Sequence, residues 1–85
     1  MKKISLYFCQ GSSDKEYHVQ LVKSGNDYVV NFQYGRRGNA LQSGTKTLVP
    51  VSLGAAERIY DKLVAEKKAK GYSEGETKNP GFQQR

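Results

Sequence analysis

Three short runs with an apolar residue at every second position leave this chain little choice of fold. Ile4, Leu6 and Phe8 alternate in the first, Tyr17, Val19 and Leu21 in the second, and Tyr28, Val30, Phe32 and Tyr34 in the third. Successive side chains of an extended chain point to opposite faces, so each run offers one apolar and one more polar face. The joining segments are "GSSD", residues 11–14, and "SGND", residues 24–27, both rich in residues that tolerate tight turns. Connections this short join antiparallel neighbours, which makes the three runs a meander.

The rest of the chain closes the fold. A fourth strand is expected over residues 41–49, interrupted by Gly44, which marks a bulge or a close backbone approach, and ended by Pro50. Ser52 is placed to cap a helix running to about Lys70, and Ala56, Ile59, Tyr60 and Leu63 recur along it at helical spacing. Gly71 is the expected left-handed stop, with Tyr72 folding back on the last turns. The predicted architecture is α+β: a four-stranded antiparallel meander with one C-terminal helix packed on one face. Residues 1–72 form the expected domain. Residues 73–85, "SEGETKNPGFQQR", are expected to be a flexible polar tail, with Phe82 its one candidate anchor.

Eighty-five residues provide for a single core. No apolar run is long enough to span a membrane, and the start "MKKISLYFCQ" carries too short an apolar stretch for a secretion signal. One cysteine, Cys9, excludes an internal disulfide and points to a reducing, cytoplasmic location. One cysteine and one histidine also fall short of a structural zinc site, so neither metal nor cofactor is expected. The net charge of +6 attracts polyanions at long range. Its distribution is more telling, because residues 28–50 hold Arg36, Arg37 and Lys46 and no acid.

The segment "QYGRRGNALQ", residues 33–42, carries the chemistry. Gly35 removes a side chain where a ligand could approach, and Gly38 permits positive φ in the turn. Arg36 and Arg37 offer planar forks suited to phosphate, and Tyr34 a flat face for a base or sugar. Lys46, with Lys68 or Lys70, would extend the field along a backbone. Two readings stay open for these residues: Tyr34 completes the apolar face of its strand or presents its ring, and the two arginines are a solvated turn or an anion site. Adjacent residues point to opposite sides, so at most one of the arginines reaches a given phosphate. "GNALQSGTKT" lacks the glycine spacing and Gly-Lys order of a phosphate-binding loop. His18 alternates with Tyr17 and Val19 and so belongs to the far face. Cys9 reads as a small buried hydrophobe or a strand-edge residue. No acid–base or nucleophile constellation is visible, so no enzymatic activity is expected.

The chain resembles the WGR domain, a small module of DNA-damage-responsive poly(ADP-ribose) polymerases that also occurs as stand-alone bacterial proteins. "DKEYHVQL", residues 14–21, is similar to the family's second strand. "QYGRRGNALQ" stands where the family has Trp-Gly-Arg-hydrophobic-Gly-x-x-Gly-Gln, and "AERIYDKLVAEKKAKGY", residues 56–72, is similar to its closing helix. The resemblance covers roughly residues 3–72. Tyr34 replaces the signature Trp, Arg37 the usual aliphatic residue and Leu41 the third glycine, while Gly35, Arg36, Gly38 and Gln42 are retained. In the polymerases the domain binds DNA strand breaks, its Trp against the sugar of an end nucleotide and its Arg in polar contact. The resemblance therefore implies a non-catalytic nucleic-acid-binding module, with DNA favoured and strand ends or breaks as targets. Tyr34 would be the packing group and Arg36 the polar contact, within a site of Tyr34, Gly35, Arg36, Arg37, Gly38, Gln42 and Lys46. About three phosphate contacts would give a salt slope near −2 to −3. The alternative is a protein-interaction module that turns the same tip toward an acidic partner. A monomer is expected in either case.

Overall fold

The computed structural model describes residues 2–74. Strands β1 (Lys2–Gln10), β2 (Ser13–Ser24), β3 (Asp27–Arg36) and β4 (Gln42–Thr45) are followed by helix α1 (Leu53–Ala69) and a short β5 (Ser73–Glu74). The sheet order is β4-β3-β2-β1-β5, so the first four strands form the expected meander, and the chain then crosses the sheet through α1. The sheet has five strands rather than four. Ser73 and Glu74, placed by the sequence reading in the tail, pair with Tyr7 and Leu6 on the free edge of β1. Phe82 lies outside the described residues.

Registers fix which side chains share a face. Ile4 opposes Val19 and Leu6 opposes Tyr17. Across the next ladder, Tyr17 opposes Tyr34, Val19 opposes Phe32 and Leu21 opposes Val30. All of these lie on the side covered by α1, which packs on β2 and β3. The buried core joins Leu6, Tyr17, Val19, Leu21 and Val30 of the sheet to Ala56, Tyr60 and Leu63 of the helix. Ile59 packs at its margin. Each large apolar side chain buried there stabilises the fold by roughly 1.5–3 kcal/mol.

The fourth strand is shorter than its sequence suggests, because Thr47 leaves the ladder side-chain first. The Val30 N–H donates to Thr47 Oγ1 at 3.0 Å, and Lys46 N–H to the Val30 carbonyl at 2.9 Å. The backbone then arches away, leaving Leu48 92% exposed, and returns where Tyr28 and Val51 exchange hydrogen bonds of 2.7 and 2.8 Å. Gly44 does not make a bulge, since pairing runs unbroken from Asn31↔Thr45 to Tyr34↔Gln42. It makes room instead: an added Cβ would lie 2.5 Å from Phe32 Cζ.

Both helix ends follow their local sequence. Ser52 Oγ accepts from the Ala55 N–H at 3.3 Å, satisfying one of the unpaired amides of the first turn. At the other end Gly71 takes φ of 106°. Its N–H donates to the Lys68 carbonyl and that of Tyr72 to the Lys67 carbonyl, the paired bonds of a Schellman cap. This cap turns Tyr72 back toward Phe8, their ring centroids 5.5 Å apart.

Candidate nucleic-acid interface

Near the β3–β4 connection the register sets out the side chains of the sheet in rows. Phe8, Lys15 and Arg36 stand opposite one another on β1, β2 and β3. The next row inward is Leu6, Tyr17, Tyr34 and Gln42. The row after that ends in Phe32 and Gly44. All point to the helix-bearing side.

The rings form a continuous surface. Tyr17 stacks on Phe32 at 5.6 Å and on Tyr34 at 5.8 Å, with interplanar angles of 15° and 21°. Tyr17 itself is buried, whereas Tyr34 is 37% exposed. The Tyr34 hydroxyl donates to Gln42 Oε1 at 3.2 Å, fixing the ring at the rim of the cluster. Tyr34 thus extends the apolar face and also presents its ring.

The adjacent arginines part company. Arg36 lies on the face of Tyr34, two residues further along β3, and its Nη2 donates to the Ser12 carbonyl at 3.2 Å. Arg37 turns to the opposite face. There its Nε donates to Asp14 Oδ1 at 2.9 Å, and its guanidinium lies 4.6 Å from the centroid of Tyr7. Strand parity explains the split, and it acts on β2 as well. In "DKEYH" Asp14, Glu16 and His18 fall on the far face, while Lys15 and Tyr17 fall on the ring-bearing one.

The glycines act locally. An added Cβ at Gly35 would meet Leu41 Cδ2 at 3.2 Å, so the bare backbone lets the returning chain pack close. Gly38, at φ 89°, makes the turn, closed by the Asn39 N–H donating to the Arg36 carbonyl at 3.0 Å. Gln42 and Lys46 come back to the ring-bearing side, with Lys46 Nζ 5.7 Å from the centroid of Phe32. Of the seven residues named from sequence, Tyr34, Arg36, Gln42 and Lys46 converge on one face, Gly35 and Gly38 shape the turn, and Arg37 lies behind.

The fold adds cations that sequence reading did not single out. Lys67 Nζ sits 4.5 Å from the centroid of Tyr17, and Lys15 Nζ 5.7 Å from that of Phe8. Phe8, Lys15, Lys67, Lys70 and Tyr72 line a recess of about 360 Å³ beside the helix C-terminus. Lys68, offered by the sequence as an extension of the field, pairs with Glu74 at 3.1 Å. Burial lowers the Lys67 pKa; Lys70 and Lys46 add to the effect and Glu66 opposes it. Burial raises the Tyr17 pKa, with further contributions from Tyr34, Tyr72 and Glu66.

The far face carries a different network. His18 Nδ1 is 2.8 Å from Ser5 Oγ and its Nε2 2.7 Å from Glu16 Oε1, tying β1 to β2 on the side away from the core. Cys9 is exposed, which removes the buried alternative.

The structure is an antiparallel sheet with one helix, and it carries an aromatic–glycine–arginine tip in basic surroundings. The family model of the WGR domain matches residues 3–79, and the chain belongs to that family. The eponymous tripeptide is Tyr34-Gly35-Arg36 here. WGR domains are nucleic-acid-binding modules rather than catalytic ones. No curated protein and no solved structure matches the chain. Among the described residues no helix is long and apolar enough to cross a membrane.

Proposed function

We propose that this WGR domain binds nucleic acid without catalysis, DNA in preference, at strand ends or breaks, through Tyr34, Arg36 and the cations around them. One observation carries the reading: the open ring of Tyr34 lies on the same face as Arg36, Lys15 and Lys46, from which strand parity removes Asp14 and Glu16. A guanidinium beside an exposed ring serves a phosphate and its sugar or base together. Gln42 holds the Tyr34 hydroxyl, and so the ring keeps its orientation before a ligand arrives. Arg37, engaged with Asp14, contributes to the fold of the turn more than to contact. Titration of intact duplex, nicked duplex and single-stranded DNA at several salt concentrations tests the proposal. Binding that weakens linearly in log–log coordinates is expected, and absence of binding to every form at low salt would end it.

A further inference from the structure

We propose that the ligand of this face is an unpaired strand, running from Tyr34 across the sheet into the recess beside the helix C-terminus. This rests on the nucleic-acid reading above and specifies what form of nucleic acid it takes. In a duplex the base faces are buried in the stack, leaving phosphates and groove edges for a protein to touch. A duplex on this surface would meet the cations, set at most one terminal sugar against Tyr34, and leave the rings of the recess idle. Rings interleaved with cations along a groove are the arrangement that unpaired strands require.

The geometry supplies both elements in register. Tyr34 offers its exposed ring at one end, and Phe8 and Tyr72 line the recess at the other. Between them the cross-strand row Arg36–Lys15–Phe8 spans two strand spacings, about 10 Å. Lys15 stands at its middle, and Lys67 and Lys70 descend from α1 on the helix side. The strand's phosphates would follow Arg36, Lys15, Lys46 and Lys67, with Lys70 at the recess wall, one base against Tyr34 and another in the recess.

Lys67, Lys46 and Lys15 each rest over a ring, Tyr17, Phe32 and Phe8 respectively. In the free protein they cover apolar surface that water would otherwise touch. A phosphate is a stronger partner for an ammonium than a ring face, so an arriving strand draws these lysines outward and opens the rings beneath.

The test compares a short oligothymidylate with a blunt hairpin duplex, followed by anisotropy at several salt concentrations and by quenching of tyrosine fluorescence. The oligothymidylate is expected to bind more tightly and to quench. Tyr34→Leu, which keeps apolar bulk and removes the ring, should weaken the oligothymidylate by about tenfold and the duplex far less. The surface variant Lys67→Gln/Lys70→Gln does not touch the core packing of Tyr34; it should reduce the salt slope of the oligothymidylate by about 0.7. Equal or tighter binding of the duplex would overturn this inference while leaving the nucleic-acid reading intact. So would an unchanged oligothymidylate affinity and slope in the double-lysine variant. Failure of both probes to bind at low salt would remove both proposals.

Discussion

Arg36 and Arg37 are adjacent and chemically identical, yet the fold predicts that neutralising them has opposite consequences. Arg36 shares the ring-bearing face with Lys15, Lys46 and Lys67. If those four cations each meet a phosphate of a single strand, the salt slope is about −2.8, from roughly 0.7 per contact. Affinity then falls about 50-fold between ~50 and ~200 mM salt. Arg36→Gln should reduce the slope to about −2.1 and the same fall to about 18-fold, with little change in stability. Arg37→Gln should leave the slope unaltered. Its cost falls on the fold, because it removes a part-buried ion pair with Asp14 at 2.9 Å and the cation over Tyr7. Such contacts contribute about 1 kcal/mol together, which lowers the melting temperature by roughly 4–8 °C in a domain of this size. Anisotropy titrations at four or more salt concentrations, run beside thermal melts of the same preparations, separate the two effects. A reduced slope for Arg37→Gln with an unchanged slope for Arg36→Gln would refute the assignment of faces on which the functional reading depends.

Three further outcomes follow from the packing. Thr47→Val keeps the side-chain shape but strands the buried Val30 amide, which should cost about 1–3 kcal/mol in denaturant unfolding. Gly44→Ala pushes a methyl group into the ring of Phe32; a loss of about 1–3 kcal/mol is expected, with displaced aromatic ring signals in NMR. Burial raises the pKa of Tyr17, Tyr60 and Tyr72, so the folded state retains their protons longer than the unfolded chain. Their stabilisation is complete below the ordinary tyrosine pKa and is lost as pH rises through the folded values. Lys67, shifted down, acts in the opposite sense, because deprotonation relieves its burial. With three groups against one, stability should fall above about pH 10, and phenolate absorbance should show delayed ionisation of these tyrosines.

Much of this fold is legible in local chemistry. Period-two runs, glycine turns, the Ser52 cap and the Gly71 stop each report a conformation decided within a few residues. The fifth strand escaped that reading because Ser73 and Glu74 carry no strand signal of their own. They pair because the Schellman cap delivers the chain to the open edge of β1. The premature end of β4 was equally hidden, since "LVP" continues an apolar run. What stops the strand is a hydroxyl: Thr47 satisfies the Val30 amide from its side chain and lets the backbone leave.

The site divides in the same way, and strand parity accounts for the division. The alternation that identifies β3 also sends Arg36 and Arg37 to opposite faces, so the separation of the pair could be foreseen from sequence. Applied to "DKEYH", the same rule places both acids of β2 behind the sheet and its lysine in front. Lys15, Arg36 and Lys46 thereby share the face opposite to Asp14 and Glu16. Lys67 belongs to that face only through the third dimension, because the crossing of α1 determines which lysine of "AEKKAK" comes down on Tyr17. Helical spacing allows Lys67 and Lys70 to share a side and turns Lys68 toward Glu74. The tip motif is therefore one end of a larger surface, and the helix C-terminus supplies the other. A ligand that touched the tip alone would leave the basic aromatic recess without a partner.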